Sequence, residues 1–336
     1  MKKLYILGMM LGVCAVFSSC NDEWKDELYV EMVSLKAPLG SQGVHDIYVR
    51  YQSDGSGSFL LPVIVSGSRE NARNIDVKIS VDNDTLDTFN REKYLDRNDL
   101  WYHQLPEQFY SFPTNGVCHI PAGKNTETFA IDFNLKGLDL NEKWVLPLTI
   151  DKDPSYVQNI RKGYHKALLN LHLFNDYSGS YASNAVSVFI GESTKDPATV
   201  ATRELRVIDD RTVFFYAGTW WEEDEKRNQY KVGVRFGEGT IDEDGVETGP
   251  IEVFAVDPTN PTQIEPFGSC HYRRSVEPHA TLPHIEKHTT TIYLNYYYTD
   301  NTSDPDHPIR YRATGSMGTQ RSINTLIPDQ DQAIQW

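Results

Sequence analysis

Apolar residues recur at every second position along most of this chain. Ile47, Val49 and Tyr51 alternate with polar neighbours, as do Phe59, Leu61, Val63 and Val65, and then Ile75, Val77, Ile79 and Val81. Phe129, Ile131 and Phe133 repeat the pattern, followed by Leu146, Leu148 and Ile150, and by Ala167, Leu169, Leu171 and Leu173. Alternation sends one set of side chains to a single sheet face, so each run reads as a strand with one face buried. Turn residues separate the runs, among them Asp54-Gly55-Ser56-Gly57, Ser66-Gly67-Ser68 and Ala122-Gly123-Lys124. Short strands with regular turns predict a β-sandwich. Between Asp82 and Tyr110 the spacing of Leu86, Phe89 and Leu95 loosens. It predicts one short helix with Asn83 or Asp84 as its N-cap.

After Phe174 the texture changes. Val186, Val188 and Ile190 open a second series of runs, which continues through Val213, Phe215 and Ala217 and ends with Ile309, Tyr311 and Ala313. About eight strands joined in sequence order predict an up-and-down meander, and closing it into a barrel would remove exposed edges. Gly179-Ser180-Tyr181 resembles the Gly-x-Trp of lipocalins. The expected fold is therefore all-β, with a β-sandwich over 29–174 and a lipocalin-like meander barrel over 175–336.

Residues 1–20 read as a leader. Lys2 and Lys3 precede an apolar stretch from Leu4 to Phe17, and Ser18, Ser19 and Cys20 follow. This is the charged, apolar, small-residue order of a secretory signal, and it is shorter than the ~20 residues that span a bilayer. Phe17-Ser18-Ser19-Cys20 resembles a bacterial lipobox, with phenylalanine where leucine is more usual. That resemblance implies cleavage before Cys20 and lipidation of its thiol and amine. Several acyl chains, at about 0.8 kcal/mol per buried methylene, make a stable anchor. The acidic tether over 21–28 resembles a surface-export tag of Bacteroidetes lipoproteins. The expected location is the outer membrane, lipid-anchored and facing outward.

The formal charge is -15, and loss of Lys2 and Lys3 makes it more negative. Such a surface repels phosphate backbones, which argues against nucleic acid as a partner. Cys118 and Cys270 lie far apart in sequence, and neither has a CxxC neighbour, so no disulfide is expected. No cofactor or metal is expected. His271, His279, His284 and His288 cluster, but Pro278 and Pro283 argue against the helix that would converge ligands for zinc. The aspartates at 242, 244, 300, 304 and 306 lack the spacing of a calcium loop.

The segment from Ile75 to Tyr177 resembles a family of Bacteroidetes surface lipoproteins with an immunoglobulin-like N-terminal domain of unknown function. The matching blocks are VDNDTLDTFN from Val81, LPEQFYSF from Leu105, IPAGKNTETFAIDF from Ile120, WVLPLTI from Trp144 and NDYSGSY from Asn175. Genes for such proteins commonly lie beside SusC/SusD-type importers and family 18 glycoside hydrolases. The resemblance implies glycan binding at the cell surface, with a SusC/SusD-type importer as partner. It transfers no binding residue. In physical terms the blocks specify fold: Gly123 supplies a turn, and Pro147 inside a strand suits an edge or a bulge.

Candidate binding residues come from the aromatics. Trp220 and Trp221 follow a strand and precede Glu222 to Glu225. Indole rings stack on the C–H faces of sugars while acids take hydroxyls, so the pair is a candidate glycan platform. Equally, one ring could fill the core. Tyr293 and Tyr297 should face one side of their strand and Tyr296 and Tyr298 the other, which makes Tyr297 a flanking candidate. Asp84-Thr85-Leu86 matches a short Bacteroidetes O-glycosylation pattern, with Thr85 as acceptor. No Gly-x-Ser-x-Gly elbow, His-Glu-x-x-His or phosphate loop occurs. Three readings stay open: a non-catalytic glycan-binding lipoprotein, a structural or adhesin-like protein with a protein partner, and a small glycan hydrolase.

Overall fold

The computed structural model describes residues 29–335 other than 39, 41, 42, 140, 141, 260, 261 and 330. Cys20 and the acidic run after it lie outside the described residues.

The first half is a two-sheet sandwich. Its strands are β1 (Met32–Leu35), β2 (His45–Arg50), β3 (Ser56–Ser66), β4 (Ile75–Val81), β5 (Val117–Ile120), β6 (Thr126–Asn134), β7 (Trp144–Ile150) and β8 (Lys166–Phe174). One sheet runs Val157–Gln158, β1, β3, β6, Tyr110–Ser111, and the other runs β2, β8, β7, β4, β5. The alternating residues meet between the sheets: Leu61, Val63, Val77, Ile131 and Leu169 are all buried there, with Cys118 among them. β2 pairs with β8 in parallel, and the other long pairings are antiparallel.

The expected helix, α1, spans Asn83–Tyr94, but its cap is one residue earlier than the sequence suggested. Asp82 accepts from the Thr85 backbone N–H at 3.3 Å and from the Thr85 hydroxyl at 2.6 Å. Pro147 also departs from expectation, since β7 is an interior strand. The Pro147 carbonyl accepts from Asp82 N–H, so its nitrogen faces the same side. β4 has already ended there, and the missing donor leaves no ladder bond unmade.

The second half closes into a barrel. Its strands are β9 (Gly179–Ala182), β10 (Val186–Ile190), β11 (Thr202–Asp209), β12 (Thr212–Tyr216), β13 (Lys231–Phe236), β14 (Glu247–Ala255), β15 (His271–Pro278), β16 (Ile285–Asp300) and β17 (Ile309–Asn324). Going round the wall, β9 is followed by β11 to β17, and β17 pairs back to β9 through Ala182 and Gly318. That is the meander expected from the sequence, with no open edge in the ring. Tyr181, Tyr230, Tyr272, Tyr296 and Tyr298 fill the interior. The last sandwich strand ends at Phe174 and the first barrel strand starts at Gly179. Polar contacts cross between the halves: Arg50 to Asp176 and Asp331, Lys143 to Glu222, Arg227 to Asp99, and Arg97 to the Glu223 carbonyl.

Candidate functional site: the cleft between sandwich and barrel

The outer face of the β2–β8 pair builds one wall. Parallel register sets Asp46 beside Asn170 and Tyr48 beside His172. Ile47, Val49 and Leu169 point into the core, so these four polar and aromatic side chains point out. α1 covers one end of this face, packing Leu86 with Val145, Leu168 and Tyr102. Asn90 on α1 fixes Tyr102 by accepting from its N–H at 3.0 Å and donating to its carbonyl at 2.8 Å. Beyond the helix the face stays open.

The outward residues of β11, Glu204 and Arg206, build the facing wall, joined by Glu222 from the loop after β12. The space between has a volume of about 610 Å³ and is lined by Tyr48, Tyr102, Trp144, His172, Ser180 and Glu204, among others. That size lies in the range of about 300–1,000 Å³ typical of ligand pockets.

The Tyr48 and His172 rings stack with centroids 5.3 Å apart and planes 25° off parallel. Tyr48 remains 38% exposed, so the stacked pair presents apolar ring surface to the cleft. Below it Asp46 accepts from Asn170 at 2.7 Å and lies 2.9 Å from the His172 imidazole. The His172 contact holds the Asp46 carboxyl below its ordinary value, against the opposing effect of burial.

The two barrel acids are driven apart. Burial raises Glu204, and the Glu222 charge adds to that, while Arg206, His172 and Ser180 only partly oppose it. Burial also acts to raise Glu222, but Arg206 and Lys143 outweigh it and hold the group down to about 2. Water still reaches Glu204 although protein surrounds most of it, as befits a side chain on a cleft wall.

The sequence candidates lie elsewhere. Trp220 stacks on Tyr230 with centroids 3.9 Å apart and packs against the barrel core, whereas Trp221 is 50% exposed. The two indoles do not share a face, and neither lines the cleft, although Glu222 and Glu223 beside them do. Tyr297 faces outward and Tyr296 and Tyr298 inward, as alternation predicts. The Tyr297 ring lies against Phe267 and beneath the Arg310 guanidinium, 4.1 Å from the ring centroid. The Thr85 hydroxyl is engaged by Asp82 and Lys166 at the helix cap. Asp300 accepts from Tyr230, Thr302 and Ser303, and Asp242 accepts from backbone N–H groups of its own turn. Among the described residues no group of three or more His, Cys, Asp or Glu could hold a metal ion.

Tyr48, His172 and Glu204 escaped the sequence reading. Alternation does mark Tyr48 and His172 as outward residues in strands whose inward positions are aliphatic. Their meeting depends on the parallel pairing of strands more than a hundred residues apart, which has no local signal.

The DUF4973 profile, a domain of unknown function, matches residues 24–154, and a profile for a C-terminal domain matches residues 165–318. A multidomain protein including DUF1735 from Bacteroides ovatus is 40% identical, with a TM-score of 0.77 over 90% of this chain and 99% of that one. The chain belongs to the same family as this Bacteroides ovatus protein, and its residues 24–154 form a DUF4973 domain. A second Bacteroides ovatus protein, of unknown function, is 41% identical, with a TM-score of 0.78 over 91% of this chain and 100% of its own. An auxiliary nutrient binding protein from Bacteroides thetaiotaomicron is 31% identical, with a TM-score of 0.78 over 89% of this chain and 98% of its own. No curated protein matches.

Proposed function

We propose that this DUF4973 protein is a non-catalytic glycan-binding lipoprotein of the cell surface, and that it holds its ligand in the cleft between sandwich and barrel. The observation that carries this reading is the stacked Tyr48–His172 pair, open to the cleft and flanked by Asp46, Asn170 and Glu204. A pyranose ring has an apolar C–H face that suits such a ring surface, and hydroxyls that suit carboxylates and amides. Three of the five cleft acids are committed, Glu222 to Arg206 and Lys143, Asp46 to His172 and Asn170, and Glu142 to His103. This favours holding a ligand over turning one over. The 31% identical relative described as an auxiliary nutrient binding protein supports the same role.

The surface anchor rests on the sequence of residues 1–28. Cys20→Ala should release the protein from the outer membrane. Cys20→Ala protein that still labels with palmitate and fractionates with membrane would overturn the anchor. A SusC/SusD-type importer is the partner this reading assigns to receive the glycan.

Binding is tested by calorimetry of wild type, Tyr48→Ala and His172→Ala against a glycan panel, with circular dichroism to check folding. Removing an aromatic platform costs about 1–3 kcal/mol by analogy with bases stacked on aromatics, or roughly 5- to 150-fold in affinity. Folded variants that bind as tightly as wild type would move the site out of the cleft.

A further inference from the structure

The barrel mouth nearest the sandwich is a second concave surface, and strand length creates it. β9 ends after four residues, whereas β16 and β17 run for sixteen each. Tyr272, Ile292 and Met317 form one row across β15, β16 and β17, buried in the barrel core. Residues two further along a strand share its face. The next row is Arg274, Thr290 and Thr319, and the row after that is Val276, His288 and Arg321. The inner face thus turns from aromatic and aliphatic to hydroxyl, imidazole and guanidinium toward this end of the long strands. Arg50 from the sandwich and Asp176 from the segment joining the halves close the space, leaving a cavity of about 420 Å³.

Charge sets this cavity apart. Arg50, Arg274 and Arg321 line it against only two carboxylates, Asp176 and Glu286, in a chain of net charge -15. The cleft is the reverse, with Asp46, Glu142, Glu204, Glu222 and Glu223 against Lys143, Arg206 and Arg321. Arg50 is already engaged by Asp176 at 2.7 Å and Asp331 at 2.6 Å. Arg274 lies over the Tyr177 ring and reaches Glu247 only at 3.4 Å. Arg321 donates to the Ser178 carbonyl at 2.6 Å; burial disfavours its charge, Tyr181 and Asp176 oppose that, and the neighbouring Arg50 and Arg274 charges add to it, with a net downward shift. An oxyanion placed among these groups would relieve it. Thr319 and Arg321 line both cavities, so the mouth and the cleft adjoin.

We propose that the barrel mouth is an anion subsite for a carboxylate or sulfate substituent of the bound glycan, with Arg274 and Arg321 as donors and the Thr290 and Thr319 hydroxyls beside them. The ligand class is then an acidic glycan, its sugar face against Tyr48 and His172 and its charged substituent in the mouth. This inference rests on the glycan reading of the cleft.

The test compares glucuronate, glucose 6-sulfate and glucose by ligand-observed NMR titration of the whole protein. At least one of the two anionic sugars should bind tenfold or more tightly than glucose, and added salt should weaken that preference. Which of the two does so distinguishes carboxylate from sulfate. Arg274→Gln should abolish the preference while leaving glucose binding in place. Thr290→Val, nearly isosteric, should reduce it and serves where Arg274→Gln does not fold. Equal affinity for all three sugars, or a preference untouched in the folded variants, overturns the anion subsite and leaves the cleft reading intact. Binding of none of the three sugars sinks the cleft reading itself.

Discussion

Lys143 Nζ, just before β7, lies 3.1 Å from Glu222 Oε1 on the barrel, and Arg206 reaches the same oxygen at 2.6 Å. One carboxylate therefore ties the sandwich to the barrel across the cleft. Its folded value of about 2 lies below the ordinary 4.5, so its contribution to stability is fully present above pH 4.5 and is lost as pH falls toward 2. Glu222→Gln should lower stability at pH 7 by about 1–2 kcal/mol, a figure reduced because water still reaches the pair. Urea denaturation at pH 7 and again near the acid limit should show the gap between variant and wild type closing. A gap of constant size would mean that the ion pair does not hold the domains.

Glu204 has the opposite sign. Its folded value is raised, chiefly by burial, so ionising it costs the folded state. Glu204→Gln should raise the melting temperature at neutral pH, and the gain should vanish as pH falls below the ordinary glutamate value of 4.5. A variant less stable than wild type at pH 7 would show that the carboxylate is ionised at no cost.

Gly218 tests the barrel's other end. Its φ is +57°, and an added Cβ would lie 1.7 Å from the Tyr298 hydroxyl. Tyr298 is buried in the core and cannot swing away. Gly218→Ala should cost roughly 2–4 kcal/mol, combining backbone strain with overpacking. Chemical denaturation reads this directly, and a loss below about 0.5 kcal/mol would show that the loop moves freely.

The architecture was legible because it depends on a local period. Alternation in Leu61-Val63-Val65 or Tyr296-Tyr298 says which side is inward without knowledge of the partner strand. The meander followed from the same signal, since its strands pair in sequence order. Pro147 was misplaced because its tolerance depends on where the neighbouring β4 stops. The α1 cap was missed by one residue because Asp82, Asn83 and Asp84 can all cap, and only the Lys166 contact with Asp82 marks the one in use. The cleft was not legible. Tyr48 and His172 meet by parallel pairing across 124 positions, and Glu204 faces them only because the barrel docks as it does. The aromatic pair conspicuous in the sequence, Trp220-Trp221, drew attention by adjacency, which says nothing about a shared face.

The two tryptophans give the last prediction. Trp220 stacks on Tyr230 with planes 10° apart, and the Tyr230 hydroxyl donates to Asp300 at 2.7 Å. Trp220 thus caps a hydrogen-bonded core, and Trp220→Ala should destabilise the barrel by about 2–3 kcal/mol through lost packing. Trp221 is half exposed, and it is its backbone that is tied down: its N–H donates to the Asp224 carboxylate at 2.7 Å and its carbonyl accepts from the Asp224 N–H at 3.2 Å. Trp221→Ala should change stability by less than about 0.5 kcal/mol. The same variants separate the cleft from the sequence's own candidate site. With the glycan in the cleft, Trp221→Ala binds as wild type does while Tyr48→Ala loses roughly tenfold, about 1.4 kcal/mol. Calorimetry of both against one bound glycan decides the matter. A tenfold loss in folded Trp221→Ala with none in Tyr48→Ala would place the ligand on the loop after β12 and empty the cleft of its proposed role.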